Sequence, residues 1–396
     1  MKKHLILLIL TAIFMTLVGC HHQRATLADR LIQALKIAQA KEILTSQIVT
    51  DSTQYPRSTQ ENGRWVTNPS WDWTSGFYPG SLWYLYEYTQ EPEFKELAEK
   101  WTAGIQNEKN NTGTHDLGFM LYCSFGNGYR LTHNPEYKAI LLKAAESLAS
   151  RYNPTVGCIK SWDFMGPGTY PVIVDNMMNL ELLFWAAKNG GPQEFYDIAV
   201  NHAKMTLKNH FRKNNSSFHV VMYDENTGDV LERKTRQGFS DPSSWARGQA
   251  WGLYGFTMTY RETKDTVFLN QAIKIADYFI SRLPDDSVPY WDFDAPNIPN
   301  EPKDASAAAI AASGLLELSQ YAEVDKSEKY AKTAASILES LASDNYMDKS
   351  NSYAALLKHS VGSWPENSEV DVGIIYADYY FIEAAMRYLD KTTLSE

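Results

Sequence analysis

Residues 305–342 read ASAAAIAASGLLELSQYAEVDKSEKYAKTAASILESLA, and this stretch decides the fold. Leu315, Leu316, Leu318 and Tyr321 recur at helical spacing in its first half. Tyr330, Ala334, Ile337 and Leu341 do the same in its second half. Only a short polar link, around 323–326, separates the two halves, so the helices are antiparallel neighbours.

The same rhythm extends in both directions. Helical periodicity predicts twelve segments, at 25–48, 76–89, 93–107, 115–131, 135–151, 175–188, 193–209, 244–262, 266–281, 305–321, 326–342 and 371–388. Their connectors alternate in length. Short links lie near Glu91, at 132–134, 189–192, 262–265 and 323–326. Long ones span 49–75, 108–114, 152–174, 210–243, 283–304 and 342–370. If every short link closes one end, every long link lies at the other. Twelve helices in six hairpins with the long loops on one face is the plan of an all-α (α/α)6 barrel. An open helical-repeat array would carry a recognisable sequence period, and none is present. Strand signals are confined to loop pieces such as 218–223, where Asn226-Thr227-Gly228 suits a small hairpin turn.

Composition narrows the function. The 396-residue chain is 44% hydrophobic, enough for a sizeable core in one barrel-type domain. Its net charge of −10 argues against a nucleic-acid partner, which requires a basic face. An acidic sugar is not excluded, because one local Arg or His suffices for one carboxylate. The 11 Trp and 24 Tyr exceed ordinary core needs, and aromatic rings stacking on sugar faces are one use for such a surplus.

The N-terminus reads as an address. Lys2 and Lys3 precede an apolar run from Leu5 to Val18, then Gly19 and Cys20. That run is too short to span a bilayer comfortably and has the shape of a signal peptide. LVGC at 17–20 resembles a bacterial lipobox, which implies export and lipidation of Cys20, against the alternative of a plain signal peptide with an incidental Cys. His21 and His22 follow with no acidic run, which favours an outer-membrane anchor facing the periplasm over cell-surface display. The division expected is a lipoprotein signal peptide over 1–20 and a single catalytic domain over 24–396. Cys123 and Cys158 remain, either paired by export or left as buried thiols.

Unusual residues gather on the long-loop side, where helix N-termini favour anions and loops carry function. Residues 71–80, WDWTSGFYPG, open the second helix and suit either a sugar platform or core packing. Asp116 opens the fourth helix and Asp175 the sixth. Either could be a simple helix cap, but their equivalent positions on adjacent inner helices aim both at one cavity. Arg247 and Trp251, four apart in the eighth, share a helix face. A guanidinium beside an indole suits a sugar carboxylate.

Five motifs carry a family resemblance: WTSGFYPG at 73–80, HDLGFM at 115–120, VDNMMNL at 174–180, QGFSDPSSWARGQAW at 237–251 and SEVDVGIIYADYY at 368–380. In order and spacing the chain resembles glycoside hydrolase family 88, the unsaturated glucuronyl hydrolases, over nearly all its mature length. The resemblance implies the (α/α)6 barrel and a substrate left by polysaccharide lyases, an oligosaccharide ending in a 4,5-unsaturated uronic acid. A related family, on the same fold, acts on unsaturated rhamnogalacturonyl fragments of pectin. By motif, Asp175 matches the carboxyl group that protonates the substrate and Asp116 its partner carboxylate. Trp73, His115, Trp162, His219, Thr235, Gln237, Arg247 and Trp251 fall among substrate-binding positions. Trp73 and Trp251 are expected to flank the ring, with His219, Gln237 and Arg247 addressing its polar groups.

The chemistry requires no metal and no cofactor, and no His or Cys cluster with ligand spacing is apparent. The expected basis for a raised Asp175 pKa is repulsion from Asp116 and the incoming substrate carboxylate, offset by Arg247 or His219. The loop Lys358 to Pro365 lies where some family members contact sulfate. Its two Ser and a Lys suit a sulfate ester, and Trp364 equally suits an unsulfated ring. No obligate protein partner is implied. A hydrolase of saturated sugars and a non-catalytic glycan-capture lipoprotein are the competing readings.

Overall fold

The computed structural model describes residues 25–166 and 168–393; the segment expected to be a signal peptide and Cys20 lie outside the described residues. Helices α1 (Leu27–Ile48), α2 (Phe77–Thr89) and α3 (Pro92–Gly104) come first. Helix α4 opens as a π-helical segment, Gly118–Gly126, and continues as Asn127–Thr132. After α5 (Pro135–Ala149), α6 opens with a 3-10 segment, Val174–Met178, and continues as Leu180–Lys188. Then follow α7 (Gln193–Asn209), α8 (Ala246–Thr263), α9 (Thr266–Ser281), α10 (Ala305–Leu318), α11 (Val324–Leu341) and α12 (Ile375–Thr393).

The even-numbered helices form a closed inner ring. Each packs on the next, α2 on α4, α6, α8, α10 and α12 in turn, and α12 packs back on α2. The odd-numbered helices stand outside them in hairpin pairs, with α1 against α12. That closure rules out the open array. The sequence explains which helix goes where. Every residue of α10 from Ala305 to Leu318 is buried, as an apolar helix walled on all sides requires. Its outer partner α11 buries only Tyr330, Ala334, Ile337, Leu338 and Leu341, a single stripe.

Two glycines let inner helices approach at backbone distance. A methyl group on Gly76 would lie 2.2 Å from the carbonyl oxygens of Phe119 and Met120, and one on Gly118 would lie 2.6 Å from the Asn179 Cα. Gly76 of WTSGFYPG therefore serves helix packing, and so does Gly80, where a methyl group would lie 2.7 Å from the Cys123 carbonyl oxygen.

Strands fill the long connectors. β1 (Gln54–Thr59) pairs with β2 (Trp65–Pro69), and β3 (Tyr152–Asn153) with β4 (Cys158–Ile159). β5 (Thr169–Ile173), β6 (Val220–Asp224) and β7 (Val230–Lys234) form an antiparallel sheet. β8 (Ser360–Ser363) pairs with β9 (Ser368–Val372). The hairpin expected around Asn226 is β6–β7; the other pairings are additions to the sequence reading. Residues 371–372 belong to β9 instead of the last helix, which starts at Ile375 and runs to Thr393. Cys123 and Cys158 are both buried and unpaired, and burial pushes both thiols up.

Candidate active site

Two cavities lie at opposite ends of the ring, and their polar groups tell them apart. The larger, about 560 Å³, opens at the short-link end among Glu181, Arg261, Glu383 and Arg387. Its charges satisfy one another: Arg261 binds Glu181, Glu262 and Glu317, while Arg387 binds Glu317 and Glu383. The smaller, about 150 Å³, lies at the long-loop end, where α2, α4, α6, α8 and α12 begin. Around it, Asp175 Oδ2, His219 Nε2, His115 Nδ1 and Ser363 Oγ are buried without a hydrogen-bond partner. Buried polar atoms are normally paired, so such a concentration marks a place built for something else.

Paired strands put the central group in position. Ile173 at the end of β5 pairs with Val220 at the start of β6, and the Val174 N–H donates to the His219 carbonyl at 3.0 Å. Asp175 and His219 therefore leave adjacent strand ends side by side, with His219 Nε2 3.7 Å from Asp175 Oδ2. The backbone N–H groups of Arg236 and Gln237 both donate to His219 Nδ1, at 3.2 and 3.3 Å. An accepting Nδ1 puts the single proton of a neutral imidazole on Nε2, facing Asp175. Burial holds His219 well below the ordinary histidine range, and nearby Arg247 pushes the same way.

Burial also dominates at Asp175. It pushes the carboxyl up to about 7; Arg247 pulls it back, Asp116 adds to the rise, and a hydrogen bond from the Trp251 side chain opposes it. Desolvation is thus the main cause, with like-charge repulsion secondary. The result is a carboxyl group that is substantially protonated near neutral pH.

Asp116 sits across the same cavity on α4. Its Oδ2 accepts from Thr114 Oγ1 at 3.0 Å, and its Oδ1 accepts from Asn179 Nδ2 at 3.4 Å. Asn179 Oδ1 in turn accepts from the Phe119 N–H at 3.0 Å, fastening α4 to α6 and fixing one aspartate relative to the other. Neither aspartate caps its helix with its side chain, so the simple capping role does not apply.

The remaining expected residues divide. Trp73, His115, Trp162, Gln237 and Arg247 all line the cavity. His115 is 1% exposed, held beneath Asp116 with its Nε2 3.4 Å from Asp116 Oδ1. Thr235 does not line the cavity; its hydroxyl accepts from the Gly238 N–H at 2.9 Å and braces the loop. Trp251 is a correction. It is 1% exposed, packed against Phe119 and Tyr380 behind the wall, so it cannot flank a bound ring opposite Trp73.

Arg247 is a second correction. Its guanidinium lies over Trp245 and Tyr376, with centroids at 4.6 and 5.3 Å, and not over Trp251. Helical side chains lean toward the N-terminus, so a residue in the first turn reaches outward, away from the next turn. Its Nη1 binds Asp304 Oδ2 at 3.1 Å and the Val361 carbonyl, and its Nη2 donates to the Gly362 carbonyl at 2.6 Å. Asp304 also caps α10 through the Ser306 and Ala307 N–H groups.

Sequence reasoning missed much of the mouth: Arg57, Glu366, Ser368, Glu369 and Tyr376 line it as well, beside Ser363 of the loop expected to contact substrate. Arg57 donates to Asp72 Oδ2 at 2.7 Å and to Glu369 Oε1 at 2.6 Å, joining positions 312 residues apart in sequence. Lys358 turns away, its Nζ donating to the Asp344 carbonyl at 3.0 Å. Trp364 stacks on buried Trp291 at 5.4 Å.

Residues 45–354 match the family model described as Glycosyl Hydrolase Family 88. The chain is 47% identical over 324 residues to an unsaturated glucuronyl hydrolase of Formosa agariphila, covering 81% of this chain and 80% of that one. It is 35% identical over 372 residues to an unsaturated chondroitin disaccharide hydrolase of Streptococcus agalactiae, covering 91% and 94%. Among solved structures it resembles an unsaturated glucuronyl hydrolase specific for heparin, with TM-score 0.89 and 45% identity over 92% of this chain and 98% of that one.

Proposed function

The chain belongs to glycosyl hydrolase family 88, and from that premise we propose that its long-loop cavity hydrates the ring double bond of a terminal unsaturated uronic acid. It is an unsaturated glucuronyl hydrolase, acting on unsaturated oligosaccharides derived from glycosaminoglycans. The observation that carries the mechanism is the buried Asp175 carboxyl, raised to about 7 at the cavity floor.

The substrate's C4=C5 bond is part of a vinyl ether, made electron-rich by the ring oxygen. Asp175 gives its proton to C4, and positive charge develops at C5 and the ring oxygen. The Asp175 carboxylate left behind then takes a proton from water as its oxygen bonds to C5. The hemiketal formed opens, the glycosidic bond breaks, and a keto sugar acid leaves the shortened glycan. Because the acid becomes the base, one carboxyl group serves both steps and each turnover restores it. His219, neutral with its Nε2–H toward Asp175 Oδ2, favours the carboxylate as it forms. Neutral His219 does not offset the charge of the substrate carboxylate; of the two guanidinium groups at the cavity wall, Arg57 already meets two carboxylates, Asp72 and Glu369, so that task falls to Arg247, which meets one, Asp304. Trp73, half-buried and packed on Tyr376 at 5.0 Å, offers the sugar a ring face.

Lyase-made unsaturated disaccharides absorb in the near ultraviolet, and hydration abolishes that absorbance. The enzyme is expected to bleach the signal and, in ¹⁸O-water, to place the label at C5. Label at the anomeric carbon, or no bleaching with saturated disaccharide cleaved, would replace this reading with an ordinary saturated-sugar hydrolase.

The leader sequence supports an exported protein anchored through a lipid on Cys20 and facing the periplasm. Metabolic labelling with an alkyne fatty acid should mark the wild type and spare Cys20→Ala; equal labelling of both would refute the anchor.

A further inference from the structure

The larger cavity, at the short-link end, takes no part in the hydration, yet its walls are those of a ligand site. Its volume of about 560 Å³ is that of a small-molecule pocket. Five inner helices each put an aromatic ring into it: Tyr84 of α2, Tyr122 of α4, Trp185 of α6, Tyr254 of α8 and Tyr380 of α12. Phe119 lines both cavities and, with Trp251 and Tyr380 packed behind it at ring-centroid steps of 5.1 and 5.4 Å, stands between them. A ligand entering from the short-link end therefore stays clear of Asp175.

The ion pairs of this cavity say what it can take. Arg130 holds Glu87 at 2.7 Å, Arg261 holds Glu181, Glu262 and Glu317, and Arg387 holds Glu317 and Glu383. Each guanidinium is engaged, which leaves none of them to an anion. Satisfied in pairs, the groups do not balance in number: with Asp390, five carboxylates line the cavity against three guanidinium groups. Burial pushes Glu181 up to about 7; Arg261 pulls it back, and Glu262, Glu317 and Glu383 add to the rise. A second observation points to a ligand directly. Tyr380 is 2% exposed and lines the cavity, yet its hydroxyl has no hydrogen-bond partner among the described residues.

We propose that the short-link cavity binds a small organic cation, an amine or quaternary ammonium group held beside Glu181 and against the rings of Tyr122 and Trp185. Glu181 and Trp185 are four apart on α6 and both line the cavity, and the Tyr122 ring lies 6.3 Å from that of Trp185. A cation over an aromatic face is attracted by the ring quadrupole, and more strongly where water is excluded. The site is independent of the hydration activity assigned above.

Calorimetric titration of the protein with choline and with dimethylbutanol, its uncharged analogue of the same shape, tests the charge directly. At about pH 8, where Glu181 is ionised, choline should bind saturably and about tenfold or more tightly than the alcohol. Glu181→Gln keeps the shape and removes the charge, and should weaken choline binding about tenfold. Trp185→Leu leaves every ion pair in place and should weaken it by about as much. Asp175→Asn, altered in the other cavity, should bind choline as the wild type does. No saturable binding of choline, equal affinity for choline and the alcohol, or an affinity unmoved in both Glu181→Gln and Trp185→Leu would overturn the proposal. Choline binding lost in Asp175→Asn would do the same, by moving the cation to the sugar cavity.

Discussion

The floor and the mouth of one cavity are built by different means. The floor is made from the first turns of inner helices, locked by backbone packing at Gly76 and Gly118 and by the Asn179 staple between α4 and α6. It is dry enough to hold Asp175 at about 7. The mouth is made of hairpins and loops tied by ion pairs, of which Arg236–Glu366 is 38% and 45% exposed. The floor holds the groups that the proposed reaction uses, and the mouth lines the way to them.

The comparison can be broken most severely at the floor. Asp175→Asn keeps the shape and removes the transferable proton, so turnover should fall about 10³- to 10⁴-fold while substrate still binds. Absorbance assays with calorimetric binding check this; turnover within tenfold of wild type would dismiss Asp175 as the acid. Next comes the joint between floor and mouth. Arg247→Met leaves Asp304 buried and unpaired and frees the hairpin at Val361 and Gly362. A loss of about 4 kcal/mol in denaturant unfolding is expected. A loss under about 1 kcal/mol would mean that the pair contributes little.

A third prediction concerns pH. Burial favours the neutral carboxyl, so the folded chain keeps the Asp175 proton up to about 7, whereas the unfolded chain releases it near ~4. Between those values the unfolded state binds fewer protons, and the wild type loses stability as pH rises. Asp175→Asn removes that loss. It should be more stable than wild type above about pH 8, by on the order of 4 kcal/mol, and show no such advantage below about pH 4. Parallel stability curves across that range would contradict the assignment. The smallest effect belongs to the mouth: Arg236→Ala should change stability by no more than ~0.5 kcal/mol, because exposed pairs contribute little, and its cost should appear in KM.

The same division governs what the sequence disclosed. Helical periodicity located twelve helices because each inner–outer pair differs in how much surface it buries, and α10 against α11 shows that difference residue by residue. Asp116 and Asp175 were legible because equivalent positions on neighbouring helices must face one axis. Arg57 and Glu369 were not, since no local pattern signals that residues 312 apart will meet. The strand β5 escaped notice because its partner β6 lies about fifty residues on and its burial comes from that pairing. Trp251 was misread for a geometric reason: four-residue spacing puts two side chains on one helix face but does not say which reaches the cavity. Arg247, in the first turn, reaches the loops; Trp251, one turn deeper, meets the core.

Asp175 itself can be titrated. Carboxyl-¹³C aspartate labelling, with the resonance assigned by its absence in Asp175→Asn, reports the protonation of that side chain as pH is raised. A midpoint near the value of about 7 set by burial is expected. A resonance already ionised at about pH 5, titrating near the ordinary ~4 of an aspartate, would contradict a floor built to hold that proton.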